Sequence, residues 1–173
     1  MSLEIRTERL SLLPYTQQIC NEVLSGSHFS LAALGIHPAQ GWPDLETMNT
    51  LPRILNNLQK VASPTGFESW IIIHKDSSTI IGDIGFKGLP NDQGEINLGY
   101  GIISQQTGKG YAKEAATGLI KWAFQQPGVT AITASCASGN HASQHILTYL
   151  NLSKVKEDQE MMYWRLDSNI DPN

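Results

Sequence analysis

Between Gly94 and Phe124 an alternating strand, Gly-Glu-Ile-Asn-Leu-Gly-Tyr-Gly-Ile-Ile, leads through Ser104-Gln105-Gln106-Thr107-Gly108-Lys109-Gly110 into a long amphipathic helix beginning at Tyr111. No other stretch constrains the fold as much. Strand and helix fix the loop at its two ends, and two glycines keep side chains away from its backbone N–H groups. The helix behind adds its own unpaired N–H groups and the positive end of its dipole. The order predicts an anion cradle, with a phosphate-bearing ligand as its guest.

Spacing decides among the known cradles. A Walker loop, G-x-x-x-x-G-K-[ST], would need glycine where Ile103 stands and a hydroxyl where Gly110 follows Gly108-Lys109. The dinucleotide fingerprint G-x-G-x-x-G starts at Gly108 and Gly110 but meets Lys113 at its third glycine. Nor does a strand with an acidic terminus follow about 20 residues later.

The segment resembles instead the acetyl-CoA loop of the GNAT superfamily of N-acetyltransferases, [Q/R]-x-x-G-x-[G/A]. Gln105 to Gly110 fits that pattern literally. Thr107 to Ala112 fits it with Thr107 at the Gln or Arg position, and we favour this register. Gly-Lys-Gly-Tyr-Ala followed by Glu114-Ala115 is a frequent form in the branch containing the ribosomal-protein alanine and serine N-terminal acetyltransferases. The similarity spreads over most of the chain. It includes Thr7-Glu8-Arg9-Leu10 before Pro14, Ile81-Gly82-Asp83-Ile84-Gly85-Phe86, Leu98-Gly99-Tyr100, Trp122-Ala123-Phe124, Asn140-His141-Ala142-Ser143 and Leu150-Asn151-Leu152.

That resemblance implies an α+β fold, a mixed and mostly antiparallel sheet of about seven strands flanked by helices. It implies acetyl-CoA as cosubstrate and transfer of its acetyl group to a primary amine by direct attack. The implied acceptor is the α-amine of a peptide or protein N-terminus; a small amine, or a noncatalytic acyl-CoA-binding module, are the alternatives. For the cofactor it implies contacts with Thr107, Gly108, Lys109, Gly110, Tyr111, Ala112, Asn140 and Ser143, and an N–H near Ile102 or Ile103 that polarises the thioester carbonyl. The oligomer would be a monomer or homodimer.

Composition adds limits. With 173 residues, 40% of them apolar, the chain is expected to form one domain over residues 1–173. A formal charge of −4 leaves no basic footprint for nucleic acid or an anionic membrane. No run of about 20 apolar residues occurs, and the N-terminus carries Glu4, Arg6, Glu8 and Arg9 in place of an apolar signal core, so a cytoplasmic protein is expected. Cys20 and Cys136 lie far apart and outside ligand spacing, which reads as core packing. His141 and His145 share a helix face without an intervening H-E-x-x-H glutamate, so no metal is expected.

Local signals place the remaining elements. Leu10–Leu13 reads as a strand ended by Pro14, and Gln17–Leu24 as a helix ended by Gly26. Asp44 caps a helix running toward Ala62 that Pro52 should disturb or split. Trp70–His74 and Thr79–Lys87 form a hairpin around Asp76-Ser77-Ser78. The helix from Tyr111 to Gln125 presents Ala112, Ala115, Ala116, Leu119, Ile120 and Ala123 on one face. Val129–Ala134 is a buried strand, a helix runs from Asn140 to Leu150, and Lys154–Glu157 pairs with Met161–Leu166.

Glu95 and Asn97 sit two apart on one strand and so share a face. Many GNAT relatives carry a glutamate where Asn97 stands, which leaves Glu95 as the expected general base, acting through water. The resemblance makes Ser143 the proton donor to the departing thiolate. The tyrosine acid of many relatives falls at Leu147, so Tyr149 reads as core or surface. His28, His37, Trp42 and Glu68 lie in or near segments that border the acceptor site in relatives, and one of them is expected to contact the acceptor. A peptide α-amine titrates near ~7.7 to 8.0 and a lysine near ~10.4, so a weak base suits the α-amine better.

Overall fold

Every residue of Trp70-Ile71-Ile72-Ile73 is buried, so the strand they form is covered on both faces and belongs inside a layered fold. The computed structural model describes residues 3–169. Its strands are β1 (Ile5–Arg6), β2 (Leu10–Pro14), β3 (His37–Pro38), β4 (Trp70–His74), β5 (Thr79–Phe86), β6 (Glu95–Ile102), β7 (Ala131–Ala137), β8 (Ser153–Glu157) and β9 (Met161–Asp167). Its helices are α1 (Gln17–Leu24), α2 (Phe29–Ala33), α3 (Leu45–Leu58), α4 (Tyr111–Phe124) and α5 (His141–Tyr149). All nine strands join one sheet in the order β1-β2-β4-β5-β6-β7-β9-β8, with β3 paired in parallel to β5. Seven of them are five residues or longer, the number expected; the two-residue β1 and β3 carry no periodic signal.

Each face of the sheet has its own core. On one, Leu10, Leu12, Trp70, Ile72, Ile84, Phe86, Ile96 and Leu98 pack against Tyr111, Ala115, Ala116, Leu119 and Ala123 of α4, and Leu147 of α5 joins them. The alanines let α4 lie close to the sheet. On the other, Ile71, Ile73, Ile80 and Ile103 pack against Ile19, Cys20 and Val23 of α1 and Leu51, Ile54 and Leu58 of α3.

Helix ends follow their capping residues. The Asp44 carboxylate accepts the Thr47 N–H at 2.8 Å and starts α3. Contrary to expectation, α3 runs unbroken through Pro52 and ends at Leu58, short of Ala62. Proline there removes one N–H donor, and its ring sits on the exposed side of the helix. After α5, Asn151 takes the left-handed conformation (φ 67°) while Leu152 N–H bonds Leu147 O at 3.0 Å, which closes the helix.

One irregularity positions the site. β6 and β7 pair in parallel only over Glu95–Leu98 and Ala131–Ala134. Beyond that point β6 stays with β5 as far as Ile102, and β7 stays with β9 through Ala137. Two adjacent strands thus keep their outer partners while losing each other, and the sheet opens from Gly99 onward.

Candidate active site

The glycine loop after β6 leads directly into α4. Gly108 and Gly110 have φ of 77° and 82°, a region most side chains avoid, and Gly110 is the N-cap of α4. The first residue to donate back into the helix is Glu114, whose N–H meets Gly110 O at 3.1 Å. The amides of residues 108 to 113 have no acceptor among the described residues. They face a cleft of about 490 Å³ between the start of α4 and α5, lined by Ile102, Thr107, Gly108, Gly110, Tyr111 and Ala112 together with Lys113. Free amides, a helix N-terminus and one lysine suit a pyrophosphate.

An ion pair braces this loop. The Glu114 carboxylate accepts from Thr7 Oγ1 at 2.6 Å, from Arg9 N at 2.7 Å and from Arg9 Nε at 2.7 Å. Burial pushes the Glu114 carboxyl up, but these hydrogen bonds outweigh it and hold it below the usual range. Arg9 in turn donates from Nη1 to Lys109 O at 2.9 Å and lies 4.5 Å over the Tyr111 ring. The N-terminal turn is thereby fastened to the cradle.

A second cavity, of about 320 Å³, passes from α3 across the opened part of β6 to β7 and α5. The two spaces share Glu46, Tyr100, Gly101, Asn140 and Ser143. At this junction the Tyr100 hydroxyl is 2.9 Å from Ser143 Oγ, and Asn140 Oδ1 accepts the Ser143 N–H at 3.0 Å. Burial pushes the Tyr100 phenol up, which keeps it protonated at neutral pH. Glu46 is exposed, lies in the first turn of α3, and has no side-chain partner among the described residues. A methyl on Gly101 would come within 3.7 Å of its carboxylate. A free carboxylate therefore stands on one side of the opening and a hydroxyl pair on the other.

Beneath the α3 side lies Asp83. Its carboxylate takes Tyr15 Oη, Thr47 Oγ1 at 2.7 Å and Trp42 Nε1 at 3.4 Å. Burial raises this carboxyl to about 6, against the pull of those three donors. The network fixes the start of α3, and with it Glu46, against the sheet.

The structure brings Ile102, Thr107, Gly108, Gly110, Tyr111, Ala112, Asn140 and Ser143 to the two connected spaces. Ile103 is different: it is buried in the α1/α3 core and its N–H is spent on Ile81 O at 3.0 Å. Because Ile103 N–H bonds Ile81 O in β5 and Asn97 O accepts the N–H of Lys87 just after it, period-two alternation turns the N–H groups of Tyr100 and Ile102 toward the opening. Lys109 lines neither space; its ammonium donates to Gln106 Oε1 at 2.9 Å.

Glu95 does not reach the site. It lies at the closed end of the β6–β7 pairing, opposite Ala131, where its carboxylate is held by Arg165 and by Asn91 Nδ2 at 3.0 Å. Those hydrogen bonds, Arg165 first, keep its carboxyl below the usual range. Glu95 and Asn97 share a face of β6, but Glu95 stands at the paired end and the sheet opens at the other, toward Ile102. Of His28, His37, Trp42 and Glu68, none lines the cavity, although Trp42 reaches it indirectly through Asp83. Glu68 is buried and accepts from Thr65. Tyr149 is 59% exposed, at the surface.

The sequence alone singles out neither the Glu46 carboxylate nor the Tyr100 hydroxyl at this junction. A weak signal exists for Glu46: it stands in the first turn of the helix that Asp44 caps. No group of three or more His, Cys, Asp or Glu suited to a metal occurs among the described residues.

Comparison with known proteins fits this geometry. The family model described as an acetyltransferase (GNAT) domain matches residues 28–153. The uncharacterized N-acetyltransferase YjdG of Bacillus subtilis (strain 168) is 32% identical over 160 residues, 92% of this chain and 95% of the relative. Among solved structures, the ribosomal-protein-S5-alanine acetyltransferase from Vibrio fischeri matches with a TM-score of 0.68 at 15% identity, covering 98% of each chain. RimL, a ribosomal L7/L12 α-N-protein acetyltransferase solved with coenzyme A, matches with a TM-score of 0.69 at 13% identity, over 98% of this chain and all of that one. With the family model spanning well over half of the sequence and a relative above 30% identity along nearly all of it, the chain belongs to the GNAT family of acetyl-CoA-dependent N-acetyltransferases.

Proposed function

We propose that the chain acetylates the α-amine of a peptide or protein N-terminus, with Glu46 as general base and the Tyr100–Ser143 pair as general acid. The observation that carries this reading is the junction of the two cavities, where a free carboxylate and a hydroxyl pair face each other across the opened strand. Acetyl-CoA supplies the activated thioester when bound.

The chain's own groups do the rest. The ammonium enters from the α3 side, and Glu46 takes its proton directly or through one water. An N–H on the opened part of β6, that of Ile102, donates to the carbonyl oxygen as it gains charge. On the α5 side the hydroxyl pair returns a proton to the sulfur. Burial keeps Tyr100 protonated for this purpose.

The acceptor assignment rests on two supports. An α-amine with a pKa near ~7.7 to 8.0 is already about a tenth neutral at pH 7, so one unbraced carboxylate suffices. The structural neighbours named for ribosomal-protein and α-N-protein acetylation share the fold over almost the entire chain.

The test is the pH profile of Glu46→Gln on a peptide acceptor. Its kcat/KM should fall about 10²-fold at pH 7 and recover roughly tenfold by pH 9, as the amine arrives neutral. Wild-type enzyme should vary little over the same range. A Glu46→Gln enzyme with the wild-type rate and profile would remove Glu46 from the reaction.

A further inference from the structure

The chain has four arginines, and three have carboxylate partners: Arg6 with Glu4, Arg9 with Glu114, and Arg165 with Glu95 and Asp167. Arg53 has no hydrogen bond, ion pair or ring contact among the described residues, yet it lines the acceptor cavity. Carboxylate hydrogen bonds raise the pKa of Arg9 and Arg165, whereas desolvation alone lowers that of Arg53. Lys87 lines the same cavity, and its ammonium is also without a partner among the described residues. Two cations thus face one space, and neither is paired with a carboxylate among the described residues.

Their position is set by α3. Glu46, Thr50 and Arg53, spaced i, i+4 and i+7, all line the cavity and so form one stripe of the helix. Glu46 lies over Gly101, while Asn57 lies over Gly88, 3.7 Å from where a methyl there would stand. The helix therefore runs from the junction with the cofactor cleft toward Lys87. At 1.5 Å of rise per residue, roughly 10 Å separates Glu46 from Arg53 along its axis. The cavity is bipolar, with Asp44 and Glu46 near the reacting end and Arg53 and Lys87 at the far end.

We infer that the acceptor carries an anionic group about 10 Å from its reacting amine, held by the Arg53 guanidinium with Lys87 beside it. Resting on the N-terminal reading above, this points to an aspartate or glutamate at the third residue of the peptide. Two extended residues span about 7 Å, and an acidic side chain on the same face supplies the remainder. A guanidinium gains two parallel hydrogen bonds from a carboxylate, which a neutral amide cannot return.

The experiment measures kcat/KM for peptides differing only at residue 3, as Glu, Gln or Lys, beside an ω-amino carboxylate and its methyl ester as small acceptors. Glu should exceed Gln by at least about tenfold at low salt, less as salt is raised. Arg53→Gln should collapse that ratio, and Arg53→Glu should invert it in favour of Lys. Equal rates on Glu and Gln peptides, or an unchanged ratio in Arg53→Gln, would overturn the inference while leaving the N-terminal reading intact. Acetylation of the small acceptors with none of the peptides would overturn the N-terminal reading, and the carboxylate-to-ester ratio would then decide the anion site in the same way.

Discussion

Asp83 makes stability depend on pH in a direction opposite to that of the carboxylates held below their usual range. Burial lifts its carboxyl from an ordinary 3.8 to about 6. Between those values the folded protein binds a proton at Asp83 that the unfolded chain has released. Stability contributed by this group is therefore full below about pH 4 and lost as pH rises through about 6. That rise in pKa corresponds to about 3 kcal/mol between the fully protonated and fully ionised limits. Glu4, Glu22, Glu95, Glu114 and Asp158 are shifted downward and gain stability as pH rises from acid, so the total slope mixes both signs. Asp83→Asn removes one titration and leaves the others. Tyr15 and Cys20, two of its titratable neighbours, are both pushed up by burial and stay protonated across this window, while the Asp44 charge adds to the rise of Asp83. Urea unfolding at pH 4, 5, 6 and 7 on both proteins should show wild type losing about 2 kcal/mol relative to Asp83→Asn across the series. A difference that does not change with pH would refute the buried, ionisable Asp83.

Gly110→Val places a branched side chain in the left-handed region at a cost of about 1 to 2 kcal/mol, with its Cβ 3.4 Å from Arg9 Nη2. Calorimetry should show acetyl-CoA affinity reduced well over tenfold, and a folded variant with wild-type affinity would refute the cradle. Tyr100→Phe and Ser143→Ala should each lower kcat about tenfold or more, with little rescue at high pH, and the double variant should cost little beyond either single one. Full additivity in that cycle would mean that the two hydroxyls act separately.

Much of this fold is written in short-range signals. The alternation in β6, the alanine face of α4, the Asp44 and Asn140 caps and the left-handed Asn151 are each set by neighbours a few residues away. The cradle was legible for the same reason: a strand, two glycines and a helix are contiguous. The groups proposed for catalysis are not contiguous. Glu46 meets Gly101 only because α3 crosses the sheet there, and Glu95 is consumed by Arg165, 70 residues away. Period-two alternation assigns a face but not an end, and the end at which β6 leaves β7 is set by strands from across the sequence. The small β3 and α2 were missed because five-residue and two-residue elements have no periodicity to read.

The most direct measurement incubates the protein with acetyl-CoA and a peptide that has a free N-terminus, an acidic third residue and an internal lysine, and locates the product by fragment mass spectrometry. The account predicts one acetyl group, on the α-amine alone. An acetyl group on the lysine, or an unmodified peptide beside an acetylated small amine, would contradict it.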